Sequence, residues 1–234
     1  MKSVTKTAGA AALVQAFCYL FGFAMLTTVM NPGDTTDWTA IQKLAFVLER
    51  SALFQLWHIV IYVLFGIALV TLASLLHRLL ETPESALMAV ATPFAFIWAG
   101  LVIASGMLAS VGLSAVSEIY PRSAGEAVQL WLAIGAVQNG LGGGVEIVGG
   151  VWILLLSASA LRSRRLLPVA LNWIGVAVGI AGIATIVPAL SGLGAVFGLV
   201  QIVWFIGIGA VLLRAAPHGS RQASRADSAD DGLP

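Results

Sequence analysis

Six long apolar stretches follow one another along the chain, separated by short polar segments. The first runs from Ala8 to Met30 and closes on "NPGD", a turn signal. The second covers Leu53 to Leu76, before "HRLLETPES", and the third covers Ala86 to Val111 with Pro93 inside it. A proline inside a membrane helix is tolerated with a kink, because neighbouring helices satisfy the freed backbone groups. The fourth occupies residues 130–160 and ends before "LRSRR". The fifth, 167–190, is opened by Pro168 and closed by Pro188, and the sixth is Leu193 to Leu213, before Arg214. A helix needs about 20 apolar residues to cross the hydrocarbon of a bilayer. The pattern therefore predicts an all-α, polytopic bundle of six transmembrane helices over residues 1–214 and a disordered tail over 215–234. The first run resembles a secretory signal, with Lys2 and Lys6 ahead of it. It is longer than a signal's apolar region of about 7–15 residues and lacks a small-x-small cleavage site, so it is read as a retained span.

Polar positions between the runs set the direction of crossing. Of the twelve lysines and arginines, Lys43, Arg50 and Arg122 fall on one side of a six-span arrangement. The other nine, including Lys2, Lys6, Arg78, Arg162 and Arg214, fall on the opposite side. Positive charge accumulates on the cytoplasmic face, so both termini are expected there. In the first outer loop, "DWTAIQKLAFVLERSALFQLW" offers Asp37 as a helix N-cap, with Trp38, Ile41, Leu44, Ala45 and Leu48 recurring at helical spacing. That fits a short helix lying in the interface, or an early start to the second span. "FQLW" at 54–57, "VQLW" at 128–131 and "VQIVW" at 200–204 echo one another. The echo fits either repeated hairpins or the preference of tryptophan for the interface.

Composition agrees with this reading and excludes other classes. The chain is 59% hydrophobic and 10% charged, against roughly 25% charged in soluble domains. A net charge of +1 argues against a nucleic-acid partner, which requires many phosphate-neutralising side chains. Cys18 is alone, so no intrachain disulfide and no cysteine-based metal site can form, and it reads as a small buried apolar residue. The lysines lie outside the spans, which removes a retinal Schiff base. His58 and His77 share one helix about 28 Å apart, which removes bis-histidine haem. H-E-x-x-H, G-x-S-x-G and a phosphate loop ending in Lys-Ser/Thr are all absent. No cofactor and no metal is therefore expected. A Glu–His acid/base pair is conceivable but has no identified nucleophile.

The chemistry that remains is concentrated in "QNGLGGGVEIVGGVWILLL", residues 138–156. On a helix, positions three and four from Glu146 are Gly142, Gly143, Gly149 and Gly150, with Asn139 one turn further along. Such a strip lets another helix approach closely, or lets this one unwind, since glycine favours helix poorly. Glu146 falls well inside the fourth run, near the expected bilayer centre. A charge there costs about 2.5–3.5 kcal/mol on insertion scales, which calls for protonation or a polar partner. Gln55, His58 and Tyr62 form a stripe on the second span that can face it, and Gln201 on the sixth span reaches a similar depth. Gly175, Gly179 and Gly182 form another close-packing face, and Asn172 is placed to bond between helices.

The polar-topped second span ("LFQLWHIVIYVLFGIALV"), the proline-opened fifth ("RLLPVALNWIGVAVGIAGIATIVP") and the tryptophan-bearing last ("GLVQIVWFIGIGAVLLR") resemble small bacterial multi-span proteins catalogued as domains of unknown function. The resemblance covers most of residues 8–214. It implies a helical bundle in a bacterial inner membrane and supplies no activity. The expectation is a non-enzymatic membrane protein that binds or transports a small solute or a proton around Glu146. The alternatives are a scaffold, whose polar residues tie helices together and which pairs with a membrane-protein partner or with itself, and an enzyme acting on lipid.

Overall fold

A computed structural model describes residues 2–80, 86–143, 145–163 and 166–215. The tail expected to be disordered lies, beyond Ala215, outside the described residues. Among these residues the secondary structure is helical, with no strand. The elements are α1 (Lys2–Thr27), α2 (Ala40–Glu49), α3 (Ser51–His58), a π-helical segment (Ile59–Leu64), α4 (Phe65–Leu80), α5 (Ala86–Ile119), α6 (Ala124–Gln138), a second π-helical segment (Asn139–Gly143), α7 (Ile147–Ser163), α8 (Val169–Ala184), a 3-10 turn (Pro188–Leu190) and α9 (Leu193–Arg214). Five stretches are long and apolar enough to cross a membrane, counting Ser51–Leu80 and Ala124–Ser163 as single stretches, and Val169–Ala184 is a shorter apolar helix.

These elements make six legs: α1, α3–α4, α5, α6–α7, α8 and α9. Consecutive legs run antiparallel. Gly22 lies against Ile61, Gly66 against Ile103, Gly112 against Ile134 and Gly149 against Trp98. Gly182 lies against Phe197, and Gly9 against Leu213 and Gly209. Each leg packs on its chain neighbours, and α9 returns to α1, so the legs form a closed ring. One end of the ring, the loop end, carries residues 28–39, 120–123 and 185–192. The other, the tail end, carries the ends of α1, α4, α7 and α9 with Lys6, Arg78, Arg162 and Arg214.

Aromatic rings fill the middle. Trp98, Trp152, Trp204, Phe197 and Phe205 are each at most 2% exposed. They touch in sequence: Trp98 meets Trp152 (5.8 Å between centroids) and Phe197 (6.1 Å), Trp152 meets Trp204 (5.9 Å), and Trp204 meets Phe205 (5.3 Å). The outside is equally apolar: Phe17, Ile67, Val111, Trp173, Ile180 and Val203 are each more than half exposed. Apolar side chains on the outside of every leg suit a lipid solvent, because water would penalise so continuous a patch.

The closest helix contact is between α7 and α8. A Cβ added at Gly150 would lie 2.7 Å from the Gly179 carbonyl oxygen, and one added at Gly179 would lie 2.8 Å from the Gly150 oxygen. Gly175 faces Ser157 and Trp204 in the same way. Without side chains the two backbones approach until dispersion contacts form between main chains.

Several boundaries differ from those expected, each for a local reason. Asp37 is not the N-cap of α2. Thr39 is, because Thr39 and Gln42 form a reciprocal capping box: the Gln42 N–H donates to the Thr39 hydroxyl (3.3 Å) and the Thr39 N–H to Gln42 Oε1 (2.8 Å). α2 is separate from the second leg, since Arg50 leaves helical geometry at φ −115° and ψ 24°. Its guanidinium sits 4.0 Å from the Phe46 ring centroid. Leu44 anchors α2 on Val116, Ala127 and Val128. That platform also explains why α5 runs to Ile119, beyond the expected Val111. The fifth leg ends at Ala184, not Leu190: the Thr185 hydroxyl donates to the Gly182 carbonyl (2.7 Å), and Pro188 has no N–H to continue the helix. The fourth leg, expected as one helix over 130–160, is two helices with a break between them. Four of the five residues from 140 to 144 are glycine in the sequence, and Gly142 adopts φ +124°, a conformation closed to most side chains. The three Gln/Trp echoes occupy different surroundings: Gln201 is buried, Gln129 is exposed, and Gln55 bonds Ser114.

Gly179→Leu should destabilise the bundle by at least the ~1–3 kcal/mol typical of overpacking, because a backbone oxygen occupies the space. Gly100→Leu, which meets nothing within 4 Å, should leave the thermal midpoint in detergent nearly unchanged. Equal midpoints for the two variants would contradict the α7–α8 contact. In the exposed 28–39 loop, Asp34 accepts the Thr36 hydroxyl (2.6 Å) and the Thr36 N–H (2.9 Å). These bonds, the hydroxyl first, hold its carboxyl below the ordinary range. The turn they make is therefore favoured above the unfolded value of about 3.9 and lost as pH falls through the lower folded value. Titration of the Asp34 carboxyl by NMR should show a midpoint that rises toward about 3.9 in Thr36→Ala.

Candidate functional site

The break between α6 and α7 exposes main-chain groups in apolar surroundings, and both main-chain groups of Glu146 have defined partners. The Glu146 N–H donates to the Thr185 hydroxyl (2.8 Å), which itself donates to Gly182. The Glu146 carbonyl accepts from the Gly150 N–H (2.8 Å), the first turn of α7. Glu146 is thus the residue from which α7 starts, and the partial positive charge of that helix end lies beside its carboxylate. Gly182 permits this, because a Cβ there would lie 3.0 Å from the Glu146 oxygen.

The Glu146 side chain lines a cavity of ≈ 250 Å³ in the loop-end half of the ring. Its walls include Tyr19, Phe23, Trp57, Tyr62, Phe65 and Trp98, with Gly142 of the break and Gly194, Ala195 and Gly198 of α9. Glu146 is the only Asp, Glu, Lys, Arg or His among the lining residues. The walls are braced. The Tyr19 hydroxyl donates to Gln201 Oε1 (2.7 Å), and the Trp57 Nε1–H donates to the Gly22 carbonyl (3.1 Å). Phe65 stands edge-on to Tyr19 (5.4 Å) and to Trp98 (5.3 Å). Among the described residues no hydrogen bond reaches the Glu146 carboxylate.

A second cavity of ≈ 560 Å³ lies between α3, α5 and α6, lined by His58, Trp131, Gln138 and Asn139 among others. Trp57 and Tyr62 line both cavities and so form the wall between them. His58 Nδ1 donates to the Phe54 carbonyl (2.6 Å), and its ring stacks on Tyr62 (5.8 Å). The Tyr62 hydroxyl meets the Gln138 side chain. The two π-helical segments supply Tyr62 to the wall and Asn139 to the second cavity. Widened turns of this kind recur where a helix must re-aim side chains.

The expected site residues are therefore divided. Glu146 and Tyr62 meet at the first cavity; His58 and Asn139 belong to the second; Gln201 stands behind Tyr19; and Gln55 bonds the Ser114 hydroxyl (3.3 Å) and lines neither. The single glycine face does not exist, because the helix that would carry it is broken. Gly142 turns the chain, Gly143 ends the π segment, Gly149 packs on Trp98 and Gly150 packs on α8. Glu146 lies level with the loop end of α8. Its N–H bonds the residue directly after α8, and α7 continues for about 25 Å below it. Tyr19, Trp57, Phe65, Trp98, Thr185 and Gln138 escaped the sequence reading. Thr185 carried a signal, as a lone hydroxyl in a long apolar run. Among the described residues no three His, Cys, Asp or Glu side chains gather as a metal site.

Comparison with family models, with curated proteins and with solved structures finds no match for the chain. Thr185→Val removes the acceptor for the Glu146 N–H and should cost about 1–3 kcal/mol, the desolvation penalty of a stranded donor. Thr185→Ser should retain stability. Hydrogen exchange at the Glu146 amide should accelerate in the valine variant alone.

Proposed function

We propose that the protein crosses a bacterial inner membrane six times with both termini cytoplasmic. It binds a small solute in the cavity beside Glu146 and exchanges it with the neighbouring cavity past Trp57 and Tyr62. The distribution of cations supports the orientation: Lys6, Arg78, Arg162 and Arg214 lie at the tail end, against Lys43, Arg50 and Arg122 toward the other. One observation carries the binding reading. A helix break with a left-handed glycine opens beside a cavity in which Glu146 is the only Asp, Glu, Lys, Arg or His among the described lining residues. Irregular backbone at membrane depth persists where it is buried in protein or lines a wet cavity. An ionisable side chain placed there is a functional site by default. Broken helices whose half-helix ends border the binding site are a recurring device of membrane transporters.

A scaffold role has its own support. The glycine contacts of α7 and α8, and the Tyr19–Gln201 and Gln55–Ser114 bonds, tie helices together without a ligand. Water access separates the two readings. In a Cys18→Ala background, the thiol introduced by Glu146→Cys should react with a water-soluble methanethiosulfonate, because only a hydrated thiol ionises and attacks. Tyr62→Ala should speed that reaction by opening the wall to the larger cavity. An unreactive thiol at position 146, beside a fully reactive Asp34→Cys control, would leave the scaffold as the better account.

A further inference from the structure

The walls of the Glu146 cavity restrict what can occupy it. The volume, ≈ 250 Å³, lies just below the roughly 300–1,000 Å³ of ordinary ligand pockets, so the occupant is small. An anion would meet the carboxylate with no Lys, Arg or His among the described lining residues to offset it, the unpartnered Trp98 Nε1–H being a neutral donor. A neutral solute would leave the acid to be met by a proton or by the α7 helix end alone, whereas a cation supplies a full counter-charge at the carboxylate. A hard metal ion needs several oxygens at about 2.0–2.6 Å, and the lining offers one carboxylate among rings. A cation with an apolar body satisfies both kinds of wall. Its charge is neutralised by Glu146, and its carbon atoms lie among aromatic rings whose negative faces favour cations.

Hydrogen-bonding capacity narrows the class further. The Tyr19 hydroxyl hydrogen is committed to Gln201 and the Trp57 N–H to Gly22. Neither the O–H nor the N–H is then free for an anion or a carbonyl, and what those two side chains offer a cation is chiefly their rings. A primary ammonium brings three N–H donors to a wall made mostly of rings, whereas a tertiary ammonium brings one and a quaternary none. We infer that the cavity takes a small tertiary or quaternary ammonium, seated with its charge at the Glu146 carboxylate and its carbon groups among Tyr19, Phe23, Trp57, Tyr62, Phe65 and Trp98. This rests on the reading of the cavity as a binding site and adds the chemistry of the ligand.

Phenyltrimethylammonium and its neutral isostere tert-butylbenzene separate charge from shape. Ala195 lines the cavity and is exposed, so Ala195→Cys in a Cys18→Ala background provides a reporter that keeps Glu146 intact. Phenyltrimethylammonium should slow alkylation of the reporter thiol by N-ethylmaleimide, and tert-butylbenzene at the same free concentration should not. Glu146→Gln should raise the half-protecting concentration roughly thirtyfold, as expected when a sheltered charge loses its partner, and Glu146→Asp should restore most of it. Equal protection by the two probes, undiminished protection in Glu146→Gln, or protection by neither would overturn the ammonium assignment. In each case a reactive Glu146→Cys thiol leaves the cavity standing as a solute site, and an unreactive one removes that reading too.

Discussion

Backbone amides released from a helix inside apolar surroundings have no bulk water to turn to, and that shortage governs the loop-end half of this bundle. The chain leaves helical geometry at Gly142 and again at Val145 and Glu146, and the Glu146 N–H finds the Thr185 hydroxyl across the helix interface. The bond needs α7 and α8 to be close enough for their backbones to touch. Gly150, Gly179 and Gly182 provide that proximity. Glycine therefore acts twice in one region. It lets the chain turn through a left-handed conformation at Gly142, and it brings the neighbouring helix near enough to satisfy what the turn exposes.

Below the break the ring is filled by Trp98, Trp152, Trp204, Phe197 and Phe205, which interlock by tilted and edge-to-face contacts. Large rings packed in this way leave little freedom to collapse into a void. The cavity persists where the rings stop, at Phe65 and Trp98, and where small residues replace them on α1 and α9, at Gly22, Gly194 and Gly198. Its walls are held by bonds made outward, Tyr19 to Gln201 and Trp57 to Gly22. The shape is thus set by the surrounding helices before anything enters it, which lowers the ordering cost of binding.

Much of the architecture was legible in the sequence, because the period and length of apolar runs follow directly from the need to satisfy backbone groups in lipid. The runs around Ala86 and Leu193 begin where helices begin. Where the reading failed, a local competitor won. At α2 the reciprocal Thr39–Gln42 cap outweighed the lone Asp37. In residues 138–156 the same glycines supported two outcomes, a smooth packing face or an unwound turn. Composition could not choose between them, because the choice depends on Thr185, some forty positions away in the chain. The site was half visible for a related reason. An acid in an apolar run announces itself, whereas Tyr19, Trp57 and Trp98 are ordinary membrane residues until the ring closes and brings them to one place.

The position of the plug also bears on what the cavity can do. Phe65 and Trp98 are at once the floor of the cavity and members of the aromatic cluster. A solute moving from Glu146 toward the tail end would have to part Trp98 from Trp152, and Trp152 from Trp204, all at most 2% exposed. Displacing packed rings opens a void whose cost grows with its volume. The wall toward the second cavity is different in kind, being formed by Trp57 and Tyr62, which border open space on both sides. Of these two walls, the one toward the cavity of His58 and Asn139 is therefore the less costly to part. Complete transfer across the bundle would require a second arrangement of the helices in which the tryptophans separate.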